Sequence, residues 1–118
     1  MTAATQDLTI EQGTSWALNL RWKDGNGAAV DLTGYTARMQ IRESYATPVL
    51  LSLGSAAPLA GITLGGAAGT ITVAATAPQT AILPAMSTCV YDLELVEPGG
   101  LVRRFLQGSA TVSPEVTK

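Results

Sequence analysis

The chain has 118 residues, seven Lys and Arg against nine Asp and Glu, a net charge of −2, one Cys and no His. That length suits one domain able to bury a core without metal or disulfide support. A triad containing His is excluded, an internal disulfide cannot form, a Cys/His metal site is all but ruled out, and the mild charge balance favours neither a nucleic-acid nor a membrane-surface partner.

Residues 1–6 are small and polar and read as a flexible N-terminal arm, with no basic stretch leading into an apolar run as in a secretory signal. No segment approaches the about 20 apolar residues of a membrane span. Leu8-Thr9-Ile10 is a short strand, broken at Gln12-Gly13. From Thr14 to Trp22 the chain alternates, with Trp16, Leu18, Leu20 and Trp22 on one face. Lys23 to Gly27 is a turn with Asp-Gly and Asn-Gly, the strongest short hairpin signal available. Val30 to Tyr35 makes a compact corner, in which Asp31 and Thr33 bond nearby amides and Gly34 permits the bend.

Alternation returns from Thr36 to Glu43, with Ala37, Met39 and Ile41 opposite Arg38, Gln40 and Arg42. Pro48 interrupts, Val49 to Leu53 offers another strand, and Gly61 to Val73 reads as a hairpin around a small-residue loop. Thr76 to Pro84 is the one helical turn, capped by Thr76 with Pro78 in its first turn. A long hairpin closes the pattern: Tyr91, Leu93 and Leu95 alternate with Asp92 and Glu94, Glu97 to Gly100 reverses the chain, and Leu101 to Ser113 returns. Residues 114–118 form a C-terminal tail.

These runs, with turn signals at short intervals and no βαβ spacing, predict an all-β, immunoglobulin-like antiparallel sandwich. It has about seven to eight strands over residues 7–113 and one short helical turn near residues 77–83. The turn falls where such domains cross between sheets. Tyr91, in the strand that follows, is either a tyrosine corner bonded back to that crossover or an ordinary half-buried aromatic.

Candidate chemistry is sparse. Asp92 and Glu94 share a strand face about 7 Å apart, within the range of an inverting glycosidase pair. Charges at period two beside Leu93 and Leu95 are, however, what the solvent face of a strand carries. Arg38, Arg42, Arg103 and Arg104 either meet those carboxylates across strands or face a partner subunit. Cys89, with no basic neighbour before Arg103, is a buried small hydrophobe. Asp24, Asn26 and Asp31 lack the rest of a calcium loop and belong to turns. Trp16 is placed in the core, and Trp22 is both a core residue and a candidate interface anchor. No catalytic, metal-binding or cofactor-binding residue is assigned, and Arg38, Arg42, Arg103, Arg104 and Trp22 are the candidate interface residues.

Asp7-Leu8-Thr9-Ile10 with Gln12-Gly13, Trp22-Lys23-Asp24 with Gly27, and the run from Val30 to Arg42 resemble a family of small tailed-phage and prophage proteins. So do Tyr91 to Leu95, Gly108 and Thr111 to Thr117, and the likeness covers nearly the whole sequence from about residue 7. The corner from Gly27 to Gly34 is also similar to the immunoglobulin-like N-terminal domain of phage baseplate upper proteins, which docks receptor-binding proteins onto the tail. Those proteins continue into a helical or fibre-binding region, absent before Lys118. The resemblance implies a non-enzymatic virion structural protein, associated with tail, neck or baseplate. It would fold in the bacterial host cytoplasm and contact other virion proteins in a symmetric, multi-copy assembly, without nucleic acid, membrane or cofactor. The alternatives are a capsid decoration protein and an Ig-like adhesive or carbohydrate-binding module.

Overall fold

Nine strands, one 3-10 turn and one short helix form over the described residues, 3–117, of the computed structural model. In chain order they are β1 (Ala4–Thr5), β2 (Leu8–Glu11), β3 (Trp16–Arg21), β4 (Thr36–Arg42), β5 (Val49–Gly54) and β6 (Ile62–Leu64). There follow a 3-10 turn at Gly66–Ala68, β7 (Thr70–Ala75), α1 (Ala77–Ala81), β8 (Thr88–Val96) and β9 (Val102–Ser113). Half of the described residues (50%) are in β structure, arranged as two sheets packed together like a sandwich.

The larger sheet runs β1-β9-β8-β4-β5, with β2 also on β9, and the smaller runs β3-β7-β6. The sheets meet over side chains that alternate inward: Ala37, Met39 and Ile41 from β4, Cys89, Tyr91, Leu93 and Leu95 from β8, and Ile71 and Val73 from β7. The β8–β9 hairpin is antiparallel from Thr88↔Thr111 to Val96↔Val102. Its tip closes with the Glu97 N–H donating to the Leu101 carbonyl at 2.9 Å and the Gly100 N–H to Glu97 at 2.8 Å. A bulge sits where Leu93 pairs with Leu106 but Glu94 pairs with Arg104, leaving Phe105 as the extra residue. Phe105 packs edge-on against Trp22, which meets Tyr35 in the same way.

The corners behave as their side chains dictate. Asp24 Oδ1 accepts from the Asn26 and Ala28 amides. The turn is tight, yet only an isolated bridge, Lys23↔Ala29, follows it, and no new strand begins until Thr36. Asp31 Oδ1 accepts from both the amide and the hydroxyl of Thr33, and those two bonds hold its carboxyl below the ordinary range. Gly34 has φ +82°, and a Cβ there would lie 2.9 Å from Pro98 of the hairpin tip.

Helix α1 begins with a capping box in which Thr76 and Gln79 exchange side-chain-to-backbone bonds, and proline occupies its first turn. Thr80, fully buried, donates its hydroxyl to the Thr14 carbonyl at 2.8 Å. Gln12 Nε2 donates to the Leu83 carbonyl at 2.9 Å. The crossover from β7 to β8 is thereby clamped to the bend between β2 and β3.

One expectation is corrected and one open alternative is decided. The N-terminal arm is not free over Ala4–Gln6: β1 pairs in parallel with Leu106 and Gln107 of β9, and the Gln6 N–H donates to the Gln107 carbonyl at 2.9 Å. The first two residues of that arm and Lys118 of the tail lie outside the described residues. Tyr91 does not bond to the crossover. Its hydroxyl donates to the carbonyl of Gln6, 85 residues away and 2.5 Å distant. Tyr91 stands opposite Gly108 in the β8–β9 register, and the missing side chain leaves the opening through which the N-terminal backbone approaches.

Candidate interaction surface

The strand alternation that sends Met39 and Leu93 inward sends mostly polar side chains, with Val90 among them, to the outer face of the larger sheet. Arg38, Gln40 and Arg42 come from β4, Val90, Asp92 and Glu94 from β8, and Arg104 and Gln107 from β9. Register sets their neighbours: Arg38 is opposite Glu94, Gln40 opposite Asp92, and Asp92 opposite Gln107. Together with Tyr45, 88% exposed on the β4–β5 loop, they line a shallow trough of about 600 Å³.

The charges are partly paired. Arg38 Nε donates to Glu94 Oε1 at 2.8 Å, while Arg104 Nε lies 3.5 Å from Asp92 Oδ2. Arg42 bonds no carboxylate among the described residues. Its guanidinium donates to the Thr47 carbonyl at 2.8 Å and to Gln40 Oε1 at 2.9 Å, which fixes its direction without neutralising it. Three arginines against two carboxylates leave this face with one surplus positive charge, on a chain whose net charge is −2.

Asp92 is raised above the ordinary carboxylate range, first by burial and then by repulsion from Glu94, effects that outweigh the attraction of Arg104, Arg42 and Arg38. Although Arg104 sits nearby, a contact of 3.5 Å between groups this exposed is a weak ion pair. Chemically, the trough offers planar donors and acceptors laid flat on a sheet, suited to another protein surface or to hydroxyl-rich ligands.

The expected interface residues do not form one group. Arg38, Arg42 and Arg104 share the trough. Arg103 is opposite Leu95 and turns to the hairpin tip, where its Nε pairs with Glu97 Oε2. Trp22 lies half-buried in the aromatic cluster with Tyr35 and Phe105. Trp16 is only half-buried too, packed against the core from the edge of the smaller sheet. Cys89 is fully buried, and burial, then Glu43, pushes its thiol up, away from nucleophilic character. Tyr45, Gln40 and Gln107 had no signal in the sequence as site residues. Gln40 alternates with the arginines of β4 and was legible only as part of that face.

Among the described residues no group of three or more potential metal ligands comes together, and no helix is long and apolar enough to cross a membrane. Compared with known proteins, the chain matches no family model and no curated protein.

Proposed function

We propose that this chain is a non-enzymatic structural protein of a tailed-phage virion, associated with tail, neck or baseplate, which attaches or orders other virion proteins through protein–protein contacts. The observation that carries the reading is the outer face of the larger sheet, with Arg42 fixed by Thr47 and Gln40 but left with its charge uncancelled. A flat, partly paired field of Arg, Gln, Asp and Glu suits an opposing surface that supplies a carboxylate and lies in register with it. Many copies in a symmetric particle multiply such modest contacts through effective concentration. The residues quoted above for the phage family support the same reading.

An immunoglobulin-like topology belongs to this proposal. The order β9-β8-β4-β5 facing β3-β7-β6, with α1 on the crossover into the second-last strand, supports it, because it parallels strands G, F, C and C′ facing B, E and D. A chain of this kind folds in the host cytoplasm and resides in the virion.

The test is the intact particle. Mass spectrometry of purified virions detects this chain, and cryo-electron microscopy locates it on tail, neck or baseplate with Arg42 at a contact. Absence from purified particles overturns the virion reading, and density on the head alone replaces the tail assignment with capsid decoration. A second reading rests on Tyr45, whose exposed ring beside Gln40, Arg42 and Gln107 offers a platform for a sugar ring. Glycan binding that Tyr45→Ala abolishes would favour it.

A further inference from the structure

The sheet edges of this fold are guarded unequally. At one side of the larger sheet, β1 and β2 are two and four residues long and are separated by Gln6 and Asp7. At its other side, β5 follows Pro48, carries a register shift against β4, and is covered at its end by the Gly54 N–H bond to the Ala60 carbonyl. In the smaller sheet β6 has three residues. The edge strand β3 has six, Trp16-Ala17-Leu18-Asn19-Leu20-Arg21, in unbroken register with β7 and with no proline and no bulge.

The hydrogen bonds of the smaller sheet fix which groups of β3 remain open. The Ala74 N–H donates to the Gly61 carbonyl, so Ala74 faces β6, and its neighbours Val73 and Ala75 face β3. The Trp22 N–H donates to the Gly69 carbonyl at 2.8 Å, in the same phase. Trp16, Leu18 and Leu20 therefore bond to β7, while Ala17, Asn19 and Arg21 direct their N–H and C=O groups to the other side, where no described strand pairs with them. The side chains of Trp16, Leu18 and Leu20 remain only half-buried along that edge.

We infer that β3 is a docking edge for a second copy of this chain, pairing antiparallel with its own counterpart about a two-fold axis at Leu18. Self-pairing fits the strand in detail. With Leu18 opposite Leu18, Trp16 meets Leu20, Ala17 meets Asn19, and Arg21, the one charge on the strand, meets Ser15. No like charges face each other, and the apolar row continues across the axis. Ser15, Ala17, Ala74 and Gln79 help to line a largely apolar dish of about 490 Å³ beside the first half of β3. In this register Arg21 of the second copy reaches its rim and lays its aliphatic stem over the alanines. The two smaller sheets join into one of six strands, and β3 ceases to be an edge.

This dimer rests on the edge geometry and not on the virion reading, so a protein that dimerises yet is absent from particles upholds the one and overturns the other. Sedimentation velocity and hydrogen exchange over a dilution series test it. The expected result is a dimer that dissociates on dilution, with exchange at the Ala17, Asn19 and Arg21 amides accelerating about tenfold or more while Leu18 and Leu20 stay protected. Asn19→Pro removes an edge N–H that no described residue accepts, and is expected to give a monomer. Should that variant fail to fold, Leu18→Cys is expected to form an intermolecular disulfide under oxidation where Asn19→Cys does not. A monomer at every concentration overturns the proposal, and so does a dimer whose three edge amides exchange as fast as in the monomer.

Discussion

Tyr91 and Gly108 stand opposite one another on β8 and β9, and the space that the glycine leaves is where the Gln6 carbonyl receives the Tyr91 hydroxyl at 2.5 Å. One cross-strand pair thus sets the position of a third strand. The ring is buried and its polar end reaches the N-terminal segment, so a buried phenol finds an acceptor without a neighbouring side chain to supply it.

Tyr91→Phe keeps the ring and removes the donor. The expected cost is about 0.5–1.5 kcal/mol, read as a lower denaturant midpoint with an unchanged slope. Amide exchange is expected to accelerate first at Gln6 and in β1.

Alkaline pH acts on the same bond. Burial, reinforced by the negative charge of Asp7, pushes the Tyr91 hydroxyl up from 10.0 to about 12. Because the folded state holds the proton more tightly than the unfolded state, the stabilisation is fully present below pH 10 and is lost as pH rises through about 12. A pH series of thermal melts is expected to fall across that window in the wild type and more shallowly in Tyr91→Phe.

Gly108→Ala tests the opposite partner. A Cβ at this position would sit 2.3 Å from the Gln6 carbonyl oxygen, so backbone must move. The expected loss is about 1–3 kcal/mol, with β1 detached from β9 and the β8–β9 hairpin retained in the amide-exchange pattern.

The two trough carboxylates are expected to respond differently. Asp92 titrates above its usual range because burial and Glu94 disfavour its charge. Its contribution is therefore greatest at acid pH and is lost as pH rises past the ordinary carboxylate range. Asp92→Asn is expected to be neutral or stabilising at neutral pH, by no more than about 0.5 kcal/mol. Glu94→Gln gives up the 2.8 Å pair with Arg38 and is expected to lose about 0.2–1 kcal/mol, a difference that shrinks in high salt. Paired thermal melts at two salt concentrations separate the two.

Thr76→Ala removes half of the capping box at α1. About 0.5–2 kcal/mol of stability is expected to go, measured by denaturation. Gln79→Ala removes the reciprocal bond to the Thr76 amide, and its effect combined with Thr76→Ala is expected to be less than additive.

Much of this architecture was readable from local pattern. The strands β4 and β8 alternate so regularly that their buried and outer faces follow from residue type, and Thr76 and Pro78 mark the helix start by their own chemistry. Cys89 was placed in the core by its neighbours and lies there. What local pattern does not carry is partnership at long range. Ala4 and Thr5 have no strand signature, and they become a strand because β9 and Tyr91 receive them. Arg103 and Arg104 look like a pair, but consecutive strand residues point to opposite faces, which sends one to Glu97 and the other to Asp92. Tyr45 enters the trough through a loop whose path no periodicity describes.

The parallel pairing of β2 with β9 has a consequence for biosynthesis. Leu8 to Glu11 of β2 dock alongside Ala110 to Ser113 of β9, so a strand made early must wait for one made far later in the chain. Until then Leu8 and Ile10, both buried in the finished protein, have no partner strand. Closing a loop of that length is entropically costly, so this seam is expected to form late and to leave Leu8 and Ile10 open to chaperones until it does.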